Sequence, residues 1–217
     1  MWRFERGGTV PSIANEHGTE RDDHAWAVAA ILALTLSVLA WWPMLASYPL
    51  TQNHDGQYWQ AFVEAVRTSL LRHHELPLWN PYECGGVPLW DHPEGIAASP
   101  LLWMTLPLGA TRALHAWYVV HSALGFLCMW LLARHELGLS PTGSLLAGTL
   151  WAFCGFHQQH LSNGHVGFVG FLYFPLALLL WRRAEVDARC SVAPVGGGGG
   201  RLRRCFSRQR VRWRGGK

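Results

Sequence analysis

The chain has 217 residues, half of them hydrophobic, with a mean hydropathy of +0.07 and a formal net charge of +4. The positive sign comes from residues 201–217, which hold eight Arg or Lys and no acid; the rest carries ten basic against fourteen acidic residues. A basic nucleic-acid-binding body is therefore excluded, and so is a small soluble core, because residues 25–181 hold more apolar sequence than a chain of this size buries.

Residues 1–24 are polar, include Arg3, Arg6 and Arg21, and read as a disordered cytoplasmic leader. The 21-residue run Ala25–Leu45 is long enough to cross a bilayer. It starts too late and runs too long for a cleavable signal peptide, so it reads as a retained first span. Trp41 and Trp42 near its far end suit an interfacial aromatic belt, and Pro43 marks where the helix begins to end. The loop 46–112 follows. Inside it Tyr58, Phe62, Val66 and Leu70 recur every four residues, with Trp59 and Val63 beside them and Gln60, Glu64 and Arg67 off the stripe. This spacing predicts a one-sided amphipathic helix of about four turns, lying in the interface plane of a membrane. Prolines at 77, 81, 88, 93 and 100 exclude a regular helix beyond it, and Gly85-Gly86 allows tight turns.

Residues 99–110 are apolar but short, with Pro107 inside; they read as an interfacial or re-entrant helix, or the front of a bent span. Further spans are predicted at about 113–133, 144–156 and 166–181, with the small residues Ala147, Gly148, Ala152 and Gly155 suited to close helix packing. Arg134 and the group Arg182, Arg183 and Arg189 follow the second and last spans. Together with the leader arginines they place both termini in the cytoplasm and the loops 46–112 and 157–165 outside. The predicted fold class is all-α, a polytopic membrane helix bundle over residues 25–187. From 188 onward the composition changes to five consecutive glycines and an arginine-rich, acid-free stretch. That segment, 188–217, reads as a disordered tail left by a frameshift or truncation of a longer multi-span protein, or alternatively as a basic lipid-binding tail. The five cysteines, at 84, 128, 154, 190 and 205, show neither metal-ligand spacing nor a disulfide framework.

Several polar residues are candidates for chemistry. Asp55, in Asn53-His54-Asp55-Gly56, lies just beyond the first span, where a carboxylate meets both a lipid headgroup and an acceptor; it reads either as a general base or as an N-cap of the amphipathic helix. Asp91, His92 and Glu94 form a second polar cluster, able to position an acceptor, hold a divalent cation, or start a turn. His157, His160 and His165 accompany Gln158, Gln159 and Asn163. The i, i+3 spacing of the first two predicts one shared helix face, for substrate contact, metal or plain structure. Arg67, Arg72, His73, His74 and Arg112 suit a lipid phosphate, which a guanidinium grips with two hydrogen bonds, although such residues also simply meet headgroups. His115 and His121 fall inside a predicted span, where a neutral packed imidazole is the simpler reading.

Leu76-Pro77-Leu78-Trp79-Asn80-Pro81 followed by Gly85-Gly86, Asp55 after the first span, Ser99-Pro100 before an apolar segment, and GFHQQHLSNGH at 155–165 occur in an order that resembles the YfhO-like family of bacterial membrane proteins. The resemblance covers about residues 26–183 and departs after about residue 188, where such proteins continue through further spans. It implies a multi-pass protein of the bacterial inner membrane, related to glycosyltransferases that use lipid-phosphate sugars. The implied reaction moves a sugar from a polyprenyl-phosphate donor to an envelope glycan or lipid acceptor on the external face. Asp55 would then be the catalytic base, with His54, Arg67, Arg72, Asp91, Glu94, His157, His160 and His165 near the substrate and no assigned metal site. A transporter or lipid-handling protein without glycosyl transfer is the alternative.

Overall fold

The computed structural model describes residues 16–47, 54–90 and 100–191. In chain order these form α1 (Glu16–Ala46), α2 (His54–Thr68) running into a π-helical turn (Ser69–His73), β1 (Trp79–Asn80), β2 (Val87–Pro88), α3 (Pro100–Leu108), α4 (Ala110–His135), α5 (Pro141–Ala152), α6 (Gly155–Ser162), a 3₁₀ helix (Val166–Tyr173) and α7 (Phe174–Ser191). Among the described residues, three stretches are long and apolar enough to cross a membrane: His24–Ala46, Ala110–His135 and Val166–Glu185.

α1 and α4 pack antiparallel, and tryptophans fix both ends of the contact. At one end Trp41 Nε1 donates to Ser122 Oγ at 3.0 Å, and its ring stacks on Tyr118 at 5.2 Å. At the other, Trp26 meets Trp130 edge-on at 4.5 Å. Trp41 is thus drawn inward by a buried hydroxyl, and only its neighbour Trp42 is exposed as an interfacial residue should be. Beyond Pro43 the helix ends within a turn, Ser47 capping the Pro43 carbonyl through both its N–H and its hydroxyl.

Three boundaries differ from the sequence expectation. α1 begins at Glu16, so the helix reaches back into the predicted leader. α7 runs to Ser191, past the predicted tail boundary at 188, and residues 192–217 lie outside the described residues. The predicted span 144–156 is a 12-residue helix, α5, about 18 Å long and too short for a hydrocarbon core of about 30 Å. Its start is well specified: Pro141 follows Ser140, whose Oγ accepts the Gly143 N–H at 3.1 Å. Gly148 lets α5 lie against α4, since a Cβ there would stand 3.0 Å from the Phe126 carbonyl oxygen. Residues 100–108 form a helix of their own, separated from α4 by Gly109 at φ +78.

The amphipathic helix forms where predicted, but its apolar stripe faces protein. Trp59, Phe62, Val63 and Val66 are buried in one cluster with Ala113, Leu114 and Trp117 of α4, Leu161 of α6 and Leu172 of the 3₁₀ helix. Packing, rather than a lipid surface, takes up this face. The helix stops at His74, which adopts a left-handed conformation at φ 55, and Pro77 follows shortly after. The β1–β2 hairpin then turns around buried Asn80, whose Oδ1 accepts the Tyr82 N–H at 3.0 Å, while Gly86 sits against the Trp79 ring. A second cluster, Ala29, Ala33, Phe126, Trp130 and Ala152, joins α1, α4 and α5 toward the opposite end.

Candidate functional site

The site forms where the C-terminus of α6 meets the N-terminus of α2. Helix α6 ends in a Schellman turn: the Gly164 N–H donates to the Leu161 carbonyl at 3.0 Å, and the His165 N–H to the His160 carbonyl at 3.0 Å. Gly164 takes the required left-handed conformation at φ +83. This geometry puts residue 165 beside residue 160. Here the neighbours are two imidazoles, whose Nδ1 atoms lie 2.9 Å apart.

Gly164 also abuts the backbone of α2. A Cβ on it would stand 2.6 Å from the Gly56 Cα. Two facing glycines thus let the chains touch, and His165 reaches across to place Nε2 at 3.0 Å from Asp55 Oδ2. Asp55 lies in the first turn of α2, inside the helix rather than ahead of it, where the helix dipole favours a carboxylate. His160 stacks flat on Phe168, with centroids 3.8 Å apart and planes within 6°. Among the predicted site residues, then, Asp55, His160 and His165 come together.

His157 lies near His160 on α6, as the spacing predicts, but it is not among the residues that meet Asp55. It is buried against Trp151 and Phe156, and its Nδ1 has no hydrogen-bond partner among the described residues. Burial holds its imidazole below the ordinary value of 6.5, and the nearby His160 pushes the same way. An imidazole neutral in the folded chain but free to charge when unfolded leaves stability untouched above that value. It costs stability as the pH falls below 6.5, until the depressed folded value is reached. His157→Leu is therefore expected to flatten the loss of thermal stability between about pH 7 and pH 5. An acid slope equal to that of the unsubstituted chain in micelle melts would refute the assignment.

The other predicted site residues lie elsewhere. Arg67 donates from Nη1 to Glu64 Oε1 at 3.0 Å along the surface of α2. Arg72 is exposed in the π-helical turn. His54 opens α2, and Asp91 and Glu94 lie outside the described residues. Among the described residues, no group of three or more His, Cys, Asp or Glu is arranged to hold a metal ion.

Sequence reasoning missed a polar cleft of about 460 Å³ between α2 and the α3–α4 junction, lined by Gln57, Gln60, Glu64, Thr111 and Arg112. Gln60 Nε2 is itself buried, with no hydrogen-bond partner among the described residues. The signal was present, since Gln57, Gln60 and Glu64 recur at helical spacing opposite the apolar stripe. No known family, curated protein or solved structure matches this chain. The functional reading therefore rests on the site itself and on the sequence resemblance.

Proposed function

We propose that this chain is part of an integral membrane glycosyltransferase of the YfhO-like kind. It would act at the external face of the bacterial inner membrane, moving a sugar from a polyprenyl-phosphate donor to an envelope acceptor. The observation that carries the reading is the Asp55 carboxylate, hydrogen-bonded to His165 close to the ends of membrane-length apolar helices. In this reaction the bond between the sugar's anomeric carbon and the phosphate oxygen breaks, and polyprenyl phosphate leaves with the electron pair. The acceptor oxygen bonds that carbon and gives its proton to Asp55. His165 orients the carboxylate, and the Gln57, Gln60 and Arg112 cleft supplies hydrogen bonds to polar parts of the substrates.

Asp55→Asn in the intact protein keeps the shape and removes the base. It is expected to lower transfer of a labelled sugar from a polyprenyl-phosphate donor by roughly 10²–10⁴-fold. Full retention of transfer sinks the role. The chain Asp55–His165–His160 favours one other reading, a proton-linked transporter or lipid-handling protein. In that case the same substitution alters uptake or lipid flipping, and no glycan product forms from labelled donor.

Orientation has a separate check. Cys84 is exposed in the hairpin turn and Cys128 is buried in α4. A membrane-impermeant thiol reagent added to intact cells is expected to label Cys84 and spare Cys128. Labelling of Cys84 only after the membrane is opened places the hairpin and Asp55 in the cytoplasm and removes the external-face reading.

A further inference from the structure

We infer that Asp55, His165 and His160 form a one-proton relay ending at Nε2 of His160, so that the carboxylate sets the tautomer of a ring two hydrogen bonds away. For His165 Nε2 to bond the ionised Asp55 Oδ2 at 3.0 Å it must carry the hydrogen, because a carboxylate only accepts. Neutral His165 then has a bare Nδ1. The His160 Nδ1, 2.9 Å away, must therefore donate, which leaves His160 Nε2 bare. The Nδ1–H form is the less favoured tautomer of a free histidine side chain, so this state of His160 is imposed by its neighbours. Two hydrogens do not fit between nitrogens at that separation, so the facing edges hold a single proton.

A proton arriving at His160 Nε2 forms an N–H bond there and releases the Nδ1 hydrogen to His165 Nδ1. His165 in turn passes its Nε2 hydrogen to Asp55 Oδ2. The carboxylate becomes a carboxylic acid, and both rings finish neutral with their tautomers exchanged. The reverse sequence returns Asp55 to its ionised form. On the glycosyl-transfer reading, the resting tautomers carry a proton inward only, so an Asp55 protonated by the acceptor discharges through this route only after both rings have exchanged tautomers. His160 is thus a positioning residue that acts through His165. The groups facing it are Asp55 through the relay, His157 on α6, and the uncharged rings of Phe156 and of Phe168 from the 3₁₀ helix.

The test is nitrogen NMR of the full chain in lipid nanodiscs with ¹⁵N-labelled histidine, in neutral to mildly alkaline buffer. Signals are assigned with His160→Asn and His165→Phe, and the helix content of every variant is checked by circular dichroism. His160 is expected as Nδ1–H and His165 as Nε2–H. Asp55→Ala removes the distant acceptor and is expected to lower the Nδ1–H fraction of His160 roughly threefold. Asp55→Asn keeps an oxygen acceptor and is expected to preserve that fraction while abolishing any base function. The two outcomes therefore separate failure of the relay from failure of the transferase reading. His160 found as Nε2–H in the unsubstituted chain, or indifferent to Asp55→Ala, overturns the relay.

Discussion

Gly164→Ala is expected to destabilise the chain by on the order of 3 kcal/mol and to separate Asp55 from His165. Two costs combine. The residue sits at φ +83, where an L side chain is strained by about 1–2 kcal/mol. The added methyl would also stand 2.6 Å from the Gly56 Cα, and backbone, unlike a flexible side chain, has no rotamer with which to yield. Relief requires α6 to lift off α2, which stretches the 3.0 Å contact between His165 and Asp55. Gly167→Ala is the control: a Cβ there meets nothing within 4 Å. Thermal unfolding in micelles measures the first effect, and the histidine ¹⁵N signals report the second. Equal melting temperatures for the two alanine variants would show that the Gly164–Gly56 contact does not hold the corner together.

The helical elements were legible because their signals are local. A long apolar run, a four-residue stripe and a proline stop each carry their meaning within a few turns, and α2, α4 and the end of α1 follow them closely. Depth was harder to read. The 144–156 run has the composition of a span, yet it yields a helix ending at Ala152, because Phe153, Cys154 and Gly155 turn the chain into α6. Which partner receives an apolar stripe is not a local property either. The Trp59, Phe62, Val63 and Val66 face suits a lipid surface and the flank of α4 equally well, and only the tertiary arrangement chooses.

The site was half legible. Asp55 stood out by position, and the histidines by clustering. Their pairing was hidden because Asp55 and His165 are 110 residues apart. The His160–His165 contact, however, could have been inferred. A glycine one residue before His165 and four after His160 is the mark of a Schellman turn, which brings those two positions together. The i, i+3 rule pointed to His157 and His160, which are near neighbours, but α6 buries the first of them against Trp151.

Phe62→Ala is expected to be the most damaging truncation on α2, costing about 3–5 kcal/mol. Phe62 is 2% exposed and sits in the cluster that joins α2 to α4, so its removal leaves a cavity as well as lost apolar burial. Leu71, in the π-helical turn, is 46% exposed, and Leu71→Ala is expected to change stability by less than about 0.5 kcal/mol. The pair separates two placements of α2. Packed on α4, Phe62 stabilises the chain in detergent with no bilayer present. Laid flat in a lipid interface, it would matter for membrane binding and leave the micelle melting temperature unchanged. Because α2 carries Asp55 in its first turn, loosening its anchor also lets the carboxylate drift from His165. Phe62→Ala should therefore weaken the relay as well as the fold, although its side chain lies two turns along the helix from the carboxylate.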